Sequence, residues 1–208
     1  CNGIYNNPYF LANEINNSFN RERVFGNIKA EWKIFKNFSI MGRYSLDQFS
    51  EKRESKLSPS YTGEPNNGAY GVQDITNYER NFDVLSTYSK VADNFSLSVS
   101  AGGNALYKKG TSISGSSKSG AGLIVPNVFT LSNIKSGSLD YGSYWSQKAI
   151  YSLYGLVNLG FKDMIFLDVT GRNDWSSTLP EENWSYFYPS ASLSILVNEM
   201  INMGEGVD

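Results

Sequence analysis

Along most of this chain apolar and polar residues alternate with a period of two, and the alternation outlasts an ordinary strand. In DNFSLSVSAGGNALYKKG, Asp93–Gly110, one set of alternate positions holds Phe95, Leu97, Val99, Ala101, Gly103, Ala105 and Tyr107. The other set holds Ser96, Ser98, Ser100, Gly102 and Asn104, with Leu106 the apolar exception. Successive side chains of an extended chain point to opposite faces, so this segment predicts a strand with one apolar and one small polar face. A typical strand in a globular protein has only about 5–6 residues.

Six further segments repeat the pattern. They are Arg23–Phe35, a run starting at Phe38, Asn77–Val91, Gln147–Phe161, Met164–Trp175 and Tyr186–Val197. In the first, Val24, Gly26, Ile28, Ala30, Trp32 and Ile34 oppose Asn27, Lys29, Glu31 and Lys33. The Asn77–Val91 pattern is weaker, because Leu85 falls opposite Phe82, Val84 and Tyr88. The connections alternate in length. Short turns are expected at Lys36–Asn37, Ala92–Asn94 and Lys162–Asp163, with another from Asn198; long links are expected over Leu57–Thr76, Lys109–Ser146 and Ser176–Ser185. Antiparallel pairing of consecutive strands then puts the short turns at one end and the long links at the other. That is the layout of an outer-membrane barrel. The expected fold is all-β, an antiparallel up-and-down meander of about seven long strands forming part of a transmembrane β-barrel.

The two faces fit that layout. A tilted strand needs about 9–11 residues to cross the hydrocarbon, and strands of this length cross it and project beyond. Trp32, Phe35, Phe38, Tyr88, Phe95, Tyr107, Phe161 and Tyr186 stand near strand ends, where interfacial girdles lie. A large soluble sheet would use the same residues in its core or along its edge. No apolar run reaches the roughly 20 residues of a membrane helix, which leaves barrel strands untouched. The Gly/Ser-rich Gly110–Gly122 is expected to be mobile, and the following LIVPNVFTLSNIKSGSLDYGSYW to fold back over a barrel mouth.

Composition narrows the chemistry. The chain carries 14 Tyr and 12 Phe in 208 residues, a bias toward strands. Its net charge of −2 offers no basic field for nucleic acid. His is absent, which excludes a Ser-His-Asp triad, a Cys-His pair and any His-bearing zinc site. Cys1 stands alone, so no internal disulfide forms; it is either a lipid-modified terminus or an ordinary residue at a fragment boundary. No phosphate-binding glycine loop appears, and neither catalytic residues nor a cofactor are expected. PEEN, Pro180–Asn183, reads as a cation site or a solvated loop tip. Arg172 and Asp174 lie two apart on one strand face, placed to hydrogen-bond sugar hydroxyls or to pair with each other. Tyr141, Tyr144, Trp145, Trp175 and Trp184 are placed to stack on sugars or grip a partner, or else to pack in girdles and loops.

Two stretches carry a family resemblance. NNPYFLANEINNSFNRERVFGNIKAEWKIFKNFSIMGRYSLD and SLYGLVNLGFKDMIFLDVTGRNDWSSTLPEENWSYFYPSASLSILVNE resemble barrel segments of the SusC/RagA family of TonB-dependent outer-membrane transporters. The resemblance is most specific in the last third, through GRNDWSS and YFYPSASLS. It implies a 22-stranded plugged barrel that imports oligosaccharides or peptides across the outer membrane of a Gram-negative bacterium. It also implies a SusD-like lipoprotein over the mouth and energy delivered through TonB. No signal peptide, TonB-contact motif or plug is read here, so residues 1–208 are expected to be an internal barrel piece without transport activity of its own. Two other readings remain open: a secreted or surface β-sandwich that binds glycans through loop aromatics, and a purely structural barrel.

Overall fold

The structure is a computed structural model that describes residues 6–62 and 67–197. Seven strands form one antiparallel sheet in chain order: β1 (Ile15–Phe35), β2 (Phe38–Leu57), β3 (Ala69–Ala92), β4 (Phe95–Ser117), β5 (Leu139–Phe161), β6 (Ile165–Ser176) and β7 (Ser185–Ile195). The meander read from the alternation is therefore present. Among the described residues there is one sheet, not the two stacked sheets of a sandwich. The turn expected from Asn198 lies outside the described residues.

Four of the strands are longer than the alternation alone indicates. β1 begins at Ile15 rather than Arg23, β3 at Ala69 rather than Asn77, and β5 at Leu139 rather than Gln147. β4 runs on to Ser117 through the stretch expected to be a Gly/Ser-rich loop, whereas β2 ends at Leu57, where the run starting at Phe38 ends in the sequence. These added parts carry polar residues on both faces, so hydrophobic periodicity is silent there while ladder hydrogen bonds continue. One short helix was also missed. In α1 (Pro8–Glu14) the Asn7 side chain accepts from the Tyr9 amide at 2.9 Å and Pro8 stands at the first helical position.

The chain divides into two compact units. The first comprises residues 1–25, 47–78 and 108–147. It holds the small hydrophobic core, Tyr70, Leu123 and Ile134, with Val72, Phe129 and Leu131 against it. The β4–β5 loop folds back to make this core. Lys118 N–H donates to the Ser138 carbonyl at 2.9 Å, and Leu123 bridges Ile134. The Asn133 side chain donates to the Val125 and Val128 carbonyls at 2.7 and 2.6 Å and accepts from the Val125 amide at 3.0 Å. Leu131 lies against Gly115, where a Cβ would sit 3.0 Å from a leucine methyl. The loop thus packs on Tyr70 and Val72 of β3 and Gly115 of β4.

The second unit comprises residues 26–46, 79–107 and 148–208. Its pairing register matches apolar residues on one face: Leu159↔Leu167↔Leu193 and Val157↔Val169↔Ala191. The opposite face pairs Asn158↔Asp168↔Ser192 and Tyr154↔Arg172↔Tyr188. A one-residue slip would exchange these two sets, so the alternation fixes the register. The apolar face stays open: Ile28 is 77%, Trp32 70% and Leu193 62% exposed. Hydrophobic burial within the chain therefore does not account for its apolar content.

The β5–β6 turn stores strain. Lys162 and Asp163 have φ of 53° and 54°, and Met164 N–H donates to the Phe161 carbonyl at 3.0 Å. This is the type I′ arrangement, which Asn-Gly adopts most easily. Replacing Lys162 with Asn and Asp163 with Gly is expected to raise stability by about 1 kcal/mol, read as a higher urea midpoint. An unchanged or lower midpoint would show that the left-handed backbone costs nothing here.

Candidate functional site

In the first unit, four strands contribute to one cavity of about 700 Å³. β1 supplies Asn17, Phe19 and Arg21; β2 supplies Glu51, Arg53 and Ser55; β3 supplies Gly71 and Gln73; β4 supplies Ser114 and Ser116. The small residues keep the wall thin: a Cβ on Gly71 would lie 3.3 Å from that of Ser116. At the β1–β2 side Glu51 is almost wholly buried, at 3% exposure. Its two carboxylate oxygens accept from the Nε atoms of Arg21 and Arg53. The Arg21 guanidinium also lies 4.5 Å from the centroid of the Phe49 ring. Two cations against one carboxylate leave this triad at +1.

The reverse face of the same unit is tied down by a second carboxylate. Tyr70 Oη donates to Glu54 Oε1 at 2.8 Å, and Lys52 and Lys56 approach Glu54 at 3.5 and 3.6 Å. Burial, then the Glu54 carboxylate, pushes the Tyr70 phenol up to about 12. The hydrogen bond from Arg53, then that from Arg21, holds the Glu51 carboxyl below its ordinary value against the opposing effect of burial.

In the second unit the polar face is a network of paired groups. Arg43 donates to Asp83 Oδ2 through Nε at 3.0 Å and Nη2 at 2.6 Å, while Asn104 Nδ2 donates to Asp83 Oδ1 at 2.5 Å and to Asn81 Oδ1 at 2.6 Å. The Tyr154 ring lies against Gly102, where a Cβ would come within 2.8 Å of it. Arg172 donates to Asp174 at 2.7 Å and to Ser152 Oγ at 3.0 Å, 5.9 Å from the Tyr154 ring centroid. Asn158 donates to Asp168 at 2.6 Å.

The residues singled out by sequence divide between the units. Arg172 and Asp174 do pair, on the polar face beside Ser152. Trp175 has the other parity: it pairs with Tyr151 and Ser185 on the apolar-face side. Trp184 follows the short helical turn Glu181–Asn183, and its carbonyl accepts from the Ser176 amide at 3.0 Å. Tyr141, Tyr144 and Trp145, expected in a loop, lie in β5 and are 80%, 65% and 63% exposed. Tyr144 shares its face with Gly142 and Ser146, which abut Ser114 and Gly110; Tyr141 and Trp145 have the opposite parity. Sequence reasoning missed the Arg21–Glu51–Arg53 triad. Its signal was present, as opposite charges at alternate positions of SEKRES in β2.

A long antiparallel meander with one open apolar face and one hydrogen-bonded polar face is the fold of a barrel-wall segment. Particular proteins share it. Over 194 residues the chain is 25% identical to TonB-dependent receptor P26 of Formosa agariphila, covering 91% of this chain and 19% of that protein. The solved RagAB peptide transporter superposes with a TM-score of 0.83 at 20% identity, over 95% of this chain and 22% of the other. The RagAB peptide importer in its closed-closed state gives 0.83 at 21% identity, over 96% and 22%. The chain thus spans about a fifth of the length of these relatives. No protein-family profile matches it. The likeness bears out the resemblance to a RagA-type TonB-dependent transporter, and the fold is that of part of such a barrel.

The two carboxylate centres should give opposite pH responses. Tyr70 has a raised value in the folded state, so its contribution is complete below about 10 and is lost as pH rises through about 12. Glu51 has a lowered value, so its contribution is present above the ordinary carboxylate range and is lost as pH falls through its folded-state value. Urea midpoints measured across pH should therefore lose the alkaline decline in Tyr70→Phe and part of the acid decline in Glu51→Gln. Profiles superposing on the unsubstituted protein would contradict both assignments.

Proposed function

We propose that this chain forms part of the wall of a TonB-dependent outer-membrane importer, taking up peptides or oligosaccharides. Lipid covers the apolar face of the second unit, and the polar faces border the cargo path. In the whole protein, TonB supplies the energy and a SusD-like lipoprotein closes the mouth. The segments 26–46, 79–107 and 148–195 span the bilayer.

One observation carries this reading. On the open apolar face two aromatic pairs bracket a band of aliphatic residues. Phe95 meets Phe161 with ring centroids 4.8 Å apart, and Tyr107 meets Tyr151 edge-on at 6.0 Å, their hydroxyls bonded to each other. Phe95 and Tyr107 are twelve residues apart. At about 3.3 Å per residue that is about 40 Å along the strand, or about 28 Å across a bilayer for a strand tilted by about 45°. Leu97, Val99 and Ala101 on β4 and Leu153, Val157 and Leu159 on β5 lie between the pairs. An aromatic girdle at each edge of a band about 25 Å tall is the expected outer surface of a membrane barrel. Trp175, opposite Tyr151 in register, joins the girdle in this reading, whereas Arg172, Asp174 and Tyr144 face the cargo.

Neighbouring positions on opposite faces test it. Val169 lies centrally on the apolar face and is 42% exposed; Thr170 lies beside it on the polar face. In the assembled protein in lipid vesicles, Val169→Arg is expected to cost about 2–4 kcal/mol and Thr170→Arg well under half of that. Urea titration of the refolded vesicles reads the difference. Equal and small effects would place the apolar face in water and remove the membrane reading.

A further inference from the structure

The Arg21–Glu51–Arg53 triad sits in the wall of a cavity, and its chemistry is incomplete. Glu51 is buried between the two guanidiniums, and its single negative charge balances only one of them. Arg53 spends its Nε on Glu51, and its two terminal nitrogens make no hydrogen bond among the described residues. The Arg53 side chain remains 54% exposed and that of Arg21 44%. The Glu54 carboxylate, on the reverse face, is occupied by Tyr70 and two lysines and does not compensate this charge. The cavity volume of about 700 Å³ suits a few peptide residues or sugar rings. Around the cation the wall is small and hydroxylated, at Ser55, Ser114 and Ser116, with Phe19 exposed as a stacking surface.

We propose that this cavity is a receptor site for a carboxylate carried on extended cargo, bound by the fork of Arg53 with Arg21 beside it. Glu51 is a positioning residue: it orients both guanidiniums and holds the second charge so that one net positive charge faces the ligand. Arg offers parallel N–H groups to a carboxylate, a geometry that Lys does not reproduce. The serines and Phe19 serve the uncharged part of the same ligand. The carboxylate is that of an acidic peptide or of a uronate sugar. The proposal rests on the reading of the polar faces as the cargo path and adds to it a charge preference at one place.

The experiment compares matched probes by calorimetry on the detergent-solubilised protein: end-blocked oligoglutamate against oligoglutamine, and oligogalacturonate against a neutral galactose oligomer. At least one acidic probe is expected to bind about tenfold more tightly than its neutral counterpart. The preference should weaken as salt screens it. It should vanish in Arg53→Gln and be only partly retained in Arg53→Lys, with neutral-probe affinity unchanged. Whichever acidic probe shows the effect names the source of the carboxylate. Equal binding of acidic and neutral probes, a preference that survives Arg53→Gln, or no binding of any probe overturns the proposal. The importer reading is judged separately by the Val169 and Thr170 substitutions, which do not touch this cavity.

Discussion

Everything in this fold depends on the sheet register. Side chains alternate with a period of two, so a strand that slips by one residue exchanges all its partners between faces. In β5–β7 the slip would bring Asn158, Asp168 and Ser192 to the face that now holds Leu159, Leu167 and Leu193. On the polar side it would also break the hydrogen bonds that Asp83, Asn104 and Arg172 make across strands. Both faces therefore enforce the same register, one by desolvation and the other by directional bonds. The type I′ turn at Lys162–Asp163 sets the register of β5 on β6 locally, with backbone strain as the cost.

The polar groups also differ in how fully they are used. In the second unit nearly every charged group on the polar face is matched: Arg43 with Asp83, and Arg172 with Asp174 and Ser152. The hydrogen-bonding capacity of that face is largely spent within the sheet. In the first unit the Arg21–Glu51–Arg53 triad is deliberately unequal, two donors sharing one buried acceptor. A group left with unspent donors in an open cavity is where a ligand gains most, because the protein has already restricted the side chains.

The sequence made the repeating architecture legible because the apolar face of the second unit follows a strict alternation. From Phe95 to Tyr107 and from Ala149 to Phe161 every second residue is apolar or glycine, and only a few apolar residues, such as Leu106, Ile150 and Leu156, fall on the opposite face. The first unit was poorly legible for the same reason in reverse. Its strand parts, such as NNSFNRER in β1 and QDITNY in β3, are polar on both faces and leave no periodic signal, so the links were drawn too long. The α1 helix was hidden by its length of seven residues, too short for helical periodicity to register. For the candidate site, sequence reasoning chose residues by type. It found the Arg172–Asp174 pair because two residues on one strand share a face, but it grouped Tyr141 and Trp145 with Tyr144 although parity separates them. The Arg21–Glu51–Arg53 triad joins residues thirty positions apart and needed the β1–β2 register to become visible.

The β4–β5 loop has a consequence of its own. Its ends are clasped by the Lys118–Ser138 hydrogen bond, and its interior is organised by Asn133 and the Leu123–Ile134 bridge. Beyond that clasp the side chains of Ile124, Val125 and Val128 are half exposed, while the Asn67 amide donates to the Leu123 and Ile124 carbonyls at 3.2 and 3.4 Å. The tip is therefore held through its backbone, by Asn133 and Asn67, so side-chain variation at Ile124, Val125 and Val128 leaves its scaffold in place, whereas loss of either asparagine would release it.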